Sequence, residues 1–366
     1  MLLTSKIKLM PNHEQYQSLK ETMHLFNIAC NEISEVAFRE KCFAKVKLQK
    51  VCYYDIREKY ERLSSQLVIR AIAKVCEAYK VNRKVQCQFR LDGAIIYDQR
   101  ILSFKGLECA SISTINGRMD IPMVISSYHQ AVLEGKRVRG QADLVFVDGV
   151  FYLLLVVEFP EGTPIETTEC IGIDLGIVNI ATDSTGQIYS GGKINGLRKR
   201  YARIRAKLQA KKTKSAKRLL KKRRRKEQRM AKDINHCISK QIAEKASRHC
   251  SSLVLENLYG MSKTREKKNS KTVSKSQRGK ISRWAFYQLQ QFIIYKAQQS
   301  GIEVLFVDPK YTSQTCSCCG HVAKENRKSQ SKFQCMSCGY VAHADYNASL
   351  NIKEKGYRQL AERRSA

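Results

Sequence analysis

Acidic residues are scarce in this sequence. Of 366 residues, 33 are Asp or Glu against 66 Lys or Arg, a net charge of +33. That imbalance excludes an ordinary solvated surface of mixed charge and points to a polyanion, most often nucleic acid. Missing too is any apolar run of about 18 residues that would span a bilayer, so no membrane segment is expected. No basic-then-apolar leader opens the sequence. The 14 cysteines are therefore expected as reduced thiols in a cytosolic compartment. Most of them, Cys30, Cys76 and Cys87 included, are scattered and read as small apolar side chains. The single tryptophan, Trp284, falls in a helical stripe with Leu289, Phe292, Ile293 and Ala297 and reads as core packing.

The length suggests two or three domains. Pro11-Asn12 opens a helical pattern through Leu19, Met23, Phe26, Ile28, Cys30, Ile33 and Phe38, and a second runs from Leu63 to Tyr79. Near Lys84 the period changes to two, with Val85, Cys87 and Phe89 apolar. Turn signals follow at Asp92-Gly93, Asn116-Gly117 and Asp148-Gly149. This spacing predicts an antiparallel barrel or sandwich. Pro160 to Pro164, with Gly162 between, reads as a linker and domain boundary. Beyond it strands and helices alternate, which predicts an α/β sheet domain. The polar stretch Met261 to Lys280 has no period and reads as a loop.

Three isolated acids carry the chemistry of this second half. Asp174 ends the apolar run Cys170-Ile171-Gly172-Ile173, Glu256 ends Leu253-Val254-Leu255, and Asp345 opens a helical pattern through Ala348 and Ile352. A charge beside β-branched neighbours is costly unless a cation or hydrogen bonds hold it. Two strand-end acids and one at a helix start can converge on one sheet edge, a set that holds two Mg²⁺ ions for phosphodiester hydrolysis. Between Arg198 and Lys232 roughly half the residues are basic, and neither Pro nor Gly interrupts them. One or two helices are expected there. Arg198, Lys199, Arg200, Arg203, Lys211, Lys212, Lys221, Arg224 and Arg225 are candidate phosphate contacts. Finally, Cys316-x-x-Cys319 and Cys335-x-x-Cys338, each followed by glycine, have the spacing of a tetrahedral zinc ribbon. Four thiolates leave no open position, so the zinc would be structural. Cys318 is left over.

These stretches together resemble a known family. Gly172-Ile173-Asp174-Leu175-Gly176, Leu255-Glu256-Asn257-Leu258, the run Val307 to Cys316 and His343-Ala344-Asp345-Tyr346-Asn347-Ala348 look like TnpB. These are transposon-encoded OrfB-type proteins, ancestral to type V CRISPR effectors. The similarity extends to the opening Ile7 to Asn12 and is most specific from Val307 to Ile352. It implies an α+β multidomain fold. A wedge-like β-barrel (1–10 and 83–160) would hold an inserted helical recognition lobe (11–82). A RuvC-like, RNase H-fold α/β nuclease domain (161–310 and 341–366) would follow, with a zinc-ribbon insertion at 311–340 that binds target nucleic acid.

By the same resemblance Asp174, Glu256 and Asp345 would be the catalytic acids, and Cys316, Cys319, Cys335 and Cys338 the zinc ligands. The Arg198–Lys232 helices would lie along a guide RNA or its heteroduplex, and Lys263 to Lys280 would form a lid. The implied activity is RNA-guided cleavage of double-stranded DNA beside a short transposon-adjacent motif. The guide would come from the transposon end, and the location would be the prokaryotic cytoplasm, at the nucleoid. In such systems pairing reads sequence while the protein supplies a cationic channel. The alternatives are an RNA-guided DNA-binding protein with little cleavage, a transposase, and a compact type V CRISPR effector. The complete acid set favours the nuclease. One departure is Ala344, where many relatives carry Arg or a second acid.

Overall fold

The computed structural model describes residues 2–135, 138–159, 161–257 and 286–365, and the chain divides into two compact units, 1–159 and 160–366. Trp284, the 261–280 loop with its expected lid, and Pro160 lie outside the described residues.

In the first unit β1 (Leu2–Leu9) is followed by α1 (His13–Arg39), α2 (Lys45–Lys59) and α3 (Ser65–Val81). Then come β2 (Ile95–Asp98), β3 (Leu102–Lys105), β4 (Cys109–Thr114), β5 (Gly117–Val124), α4 (Ser127–Leu133), β6 (Val138–Val147) and β7 (Val150–Glu158). The strands form one antiparallel sheet in the order β2-β6-β7-β1-β5-β4-β3. Its two edge strands, β2 and β3, are consecutive in the chain, so the sheet curls into a barrel-like form. Asp148 (φ 54°) and Gly149 (φ 81°) make the tight turn between β6 and β7 that their sequence predicts.

Helix α1 starts where Pro11-Asn12 suggests. The Asn12 side chain accepts from Gln15 N–H (2.8 Å), and the Gln15 side chain accepts from Asn12 N–H (3.0 Å), a reciprocal cap. Two features differ from the sequence reading. Helix α2 was not anticipated, because its inner stripe is only Leu48, Cys52 and Ile56, while Val46, Val51 and Tyr54 face outward. The alternating Val85, Cys87 and Phe89 form no strand. The backbone at Cys87, Phe89 and Gly93 is strapped instead to side chains of α1, which share one helix face. Ser34 Oγ donates to Cys87 C=O (2.7 Å), Asn31 exchanges two hydrogen bonds with Phe89 (3.0 and 2.7 Å), and Asn27 donates to Gly93 C=O (2.8 Å). Polar groups on a helix thus do what a neighbouring strand would do.

The second unit holds β8 (Cys170–Asp174), β9 (Asn179–Asp183), β10 (Ile188–Ser190), α5 (Gly192–Lys211), α6 (Lys214–Arg248) and β11 (Ser252–Glu256). After the undescribed stretch come α7 (Phe286–Gln299), β12 (Val304–Val307), the short hairpin β13 (Lys332–Gln334) and β14 (Val341–His343), and α8 (Ala344–Ser365). The main sheet has the order β10-β9-β8-β11-β12. β9 and β10 return antiparallel, whereas β8, β11 and β12 run parallel.

Alternation explains why β8 and β11 are apolar without a break. Ile171, Ile173, Leu253 and Leu255 point to a core completed by Ile238 and Ile242 of α6 and Leu289 and Ile293 of α7. Cys170 and Val254 point the other way, toward Ile352 of α8. Both faces are covered, as parallel strands require. Helix α8 lies so close to the sheet that a Cβ on Gly172 would stand 2.2 Å from Ser349 C=O, and one on Gly356 2.3 Å from Val254 Cγ2. A buried ion pair ties α6 to the β9–β10 turn: Lys245 Nζ donates to Asp183 Oδ2 (2.7 Å), whose other oxygen accepts from Thr185 and Gln187 N–H.

Candidate active site and cysteine metal centre

β8 and β11 are parallel and in register, Ile173 opposite Leu255, so their last residues, Asp174 and Glu256, emerge side by side at one end of the sheet. β9, antiparallel to β8, starts at that same end with Asn179, whose Nδ2 donates to Asp345 Oδ2 (2.9 Å) in the first turn of α8. The three sequence-predicted acids are therefore brought together from three elements. Asp345 is buried, and the other two are half-buried.

The electrostatics follow from that crowding. Burial pushes the Asp174 carboxyl up to about 8, with Glu256 and Asp345 adding repulsion and Arg327 partly offsetting it. Burial also raises Glu256, against the hydrogen bond from Thr312 and the charge of Lys355. Arg327 reaches Asp345 Oδ1 at 3.8 Å from the cysteine module. Thr312 Oγ donates to Glu256 Oε1 at 2.5 Å, closer than its 3.1 Å approach to Pro309 C=O. An all-oxygen donor set with excess negative charge fits a hard divalent cation.

The cysteine module lies between β12 and β14 and is built of two like knuckles. Gly320 N–H donates to Cys316 C=O (2.9 Å) and Gly339 N–H to Cys335 C=O (3.2 Å). Both glycines have φ above +70°, a conformation that favours glycine. The sulfurs of Cys316 and Cys338 are 3.7 Å apart, and those of Cys319 and Cys335 3.6 Å. Tetrahedral bonds of about 2.3 Å to zinc would separate sulfurs by roughly 3.8 Å, so the four fit that ion. Cys318 is exposed and outside the set.

The basic segment forms two helices, α5 and α6, joined at Lys212 in the left-handed conformation and capped by Thr213. Lys199, Arg200, Arg203, Lys211, Lys212, Lys221 and Arg224 are exposed. Arg198 and Arg225 are half-buried, and Arg198 NH1 donates to Asn195 Oδ1 (3.4 Å).

Sequence reasoning missed Asn179, Thr312 and Arg327 as site residues, and also Asn347 and Asn351. These two buried amides hold the loop before the cysteines. Asn351 Nδ2 donates to Thr312 and Thr315 C=O (2.9 and 2.7 Å), and Asn347 accepts from Ser317 N–H (3.0 Å). Thr312 and Thr315 sit in the family-like run before Cys316, a signal without an assignable role.

Comparison with known proteins agrees with the motifs. Residues 155–265 match the family model described as probable transposase (OrfB type), and residues 286–352 match the Cas12f1-like TNB domain. The chain is 31% identical over 229 residues to the putative RNA-guided DNA endonuclease InsQ of Escherichia coli, covering 58% of this chain and 56% of that one. It is 54% identical over 72 residues to the CRISPR-associated endodeoxyribonuclease Cas12f1 of Sulfoacidibacillus thermotolerans, 20% of this chain and 17% of that one. A TnpB-like protein of Methanocaldococcus jannaschii is 32% identical over 166 residues, 44% of this chain and 57% of the relative. The chain thus covers less than two thirds of the length of these curated relatives. In fold it is similar to the protein of a Cas12f1–sgRNA–target DNA complex, with a TM-score of 0.61 at 18% identity over 92% of this chain and 81% of that one. The resemblance to TnpB stands on relatives that bear that name and on both family models.

Proposed function

We propose that the chain is an RNA-guided DNA endonuclease of a transposable element, with Asp174, Glu256 and Asp345 as its catalytic acids. The observation that carries this reading is the convergence of those acids at one sheet end, in a chain similar to InsQ and to TnpB-like proteins. The strand order β10-β9-β8-β11-β12, two antiparallel returns and then two parallel neighbours, fits a RuvC-like domain of RNase H fold. On this reading residues 311–340 are the zinc-ribbon insertion, 161–310 and 341–366 the nuclease domain, 1–10 and 83–160 the wedge, and 11–82 the recognition lobe. Among the described residues no helix is long and apolar enough to cross a membrane.

Mg²⁺ ions held by the three acids would supply an activated water and steady the leaving oxygen in phosphodiester hydrolysis. The chain's own residues prepare that site. Asn179 orients Asp345, Thr312 caps one oxygen of Glu256, and Arg327 tempers the repulsion among the carboxylates. The exposed cations of α5 and α6 would bind the phosphates of a guide RNA or its heteroduplex with target DNA.

The test is to express the protein with its native flanking DNA, purify it in high salt and sequence the RNA that remains bound. One discrete transcript from the element's end is expected, and it should direct Mg²⁺-dependent cleavage of matching double-stranded DNA. Asp174→Ala, Glu256→Ala and Asp345→Ala should each abolish cleavage while RNA still copurifies. Heterogeneous RNA, or cleavage retained in any of the three, would refute the assignment.

A further inference from the structure

The loop from Thr312 to Ser317 connects two sites that the sequence treats separately. Thr312 is almost fully buried, 3% exposed, and its hydroxyl donates to Glu256 Oε1 at 2.5 Å. The bond fixes one oxygen of that carboxylate, at the sheet end where β8 and β11 finish side by side. Thr312 has no freedom of its own, because Asn351 Nδ2 holds both its carbonyl and that of Thr315 (2.9 and 2.7 Å). Asn347, fully buried on the same face of α8, clamps Thr315 C=O (2.8 Å) and Ser317 N–H (3.0 Å) on either side of Cys316. An unbroken series of hydrogen bonds therefore runs from the first cysteine knuckle to the Glu256 carboxylate.

We infer that Thr312 is a positioning residue for Glu256, and that the cysteine module holds it in place, so that zinc in the module tightens divalent-ion binding at the acids. The inference rests on the proposed reading of Asp174, Glu256 and Asp345 as a divalent-ion site. A hydroxyl that orients a ligating carboxylate acts as such outer partners do, and losing one typically weakens metal binding by about 10- to 100-fold. A buried carboxylate oxygen stripped of its donor is also left unsatisfied, which is costly.

The experiment is Mn²⁺ binding to the full-length, RNA-stripped protein, followed by electron paramagnetic resonance, with zinc content measured in every sample. Binding lost in Asp345→Asn defines the acid-dependent site. Thr312→Val should raise the Kd of that site by about 10- to 100-fold at full zinc content, and Thr312→Ser, which keeps the donor, should restore it to within about twofold. Cys338→Ser, with Thr312 intact, should raise the Kd similarly as zinc is lost. This arm decides the matter independently if Thr312→Val does not fold. An unchanged Kd in Thr312→Val, an equal loss in Thr312→Ser, or an unchanged Kd in zinc-free Cys338→Ser would overturn the inference. Absence of acid-dependent Mn²⁺ binding in the unaltered protein would instead refute the reading of the acids, and the inference with it.

Discussion

Replacing Gly172 with alanine tests whether the sheet end depends on the close approach of α8. In an open strand the change is worth roughly 0.5–1 kcal/mol in favour of alanine, through the entropy of the unfolded chain. Here the new Cβ would lie 2.2 Å from Ser349 C=O and 2.5 Å from Lys353 N, both backbone atoms of α8. Ordinary contact begins near 3.4 Å, so the helix must lift by about 1 Å or the strand must bend. Overpacking costs about 1–3 kcal/mol, and a backbone obstacle that cannot rotate away puts this case at the upper end. For a unit of this size each kcal/mol shifts Tm by roughly 2–4 °C, so a loss of about 6–12 °C is expected by calorimetry.

Gly356→Ala is the built-in comparison. Its Cβ would meet Val254 Cγ2 at 2.3 Å, a side-chain atom, so Val254→Ala should relieve it. The double variant should be more stable than the two single losses sum to, by about 1 kcal/mol or more. No truncation of a neighbour can rescue Gly172→Ala in this way. Because Asp345 lies one turn before Ser349 on α8, Gly172→Ala should also weaken divalent-ion binding. A variant as stable as the parent, or more so, would refute the packing described here.

Two further outcomes follow from the site. The folded protein holds a proton on Asp174 up to about pH 8 that the unfolded chain releases near 3.8, so the metal-free protein should lose stability as pH rises through that window, by about 1.4 kcal/mol per unit. Asp174→Asn should remove this slope, gaining about 3 kcal/mol on the parent between pH 5.5 and 7.5 in chelator-treated denaturation. Equal slopes would show that the carboxyl is solvated. In the cysteine module, Cys338→Ser should release zinc, since three thiolates hold it less well than four. A full zinc complement by elemental analysis would count against the set of Cys316, Cys319, Cys335 and Cys338.

The sequence by itself determined what rests on neighbours in the chain. The cysteine pairs are legible because a knuckle is made within five residues, cysteine to glycine, and needs only the spacing and a residue tolerant of positive φ. The Asp148-Gly149 turn is local for the same reason. The three acids stood out because a charge at the end of an apolar strand has few inexpensive explanations. The long basic helices were legible because nothing within them stops a helix.

Tertiary structure alone decided the rest. Val85, Cys87 and Phe89 alternate like a strand, but period shows only which side chains are buried. It is blind to the backbone's partners, here Asn27, Asn31 and Ser34 of α1. Helix α2 escaped notice because its buried stripe is only Leu48, Cys52 and Ile56, and the apolar Val46, Val51 and Tyr54 on its outer face obscure the period. Asn179 meets Asp345 across 166 residues, and Thr312 meets Glu256 across 56. A single amide or hydroxyl has no periodicity, and its partner is chosen only when the strands and α8 have packed. The acids were therefore readable as candidates, while the groups that orient them appeared only once the sheet end was assembled.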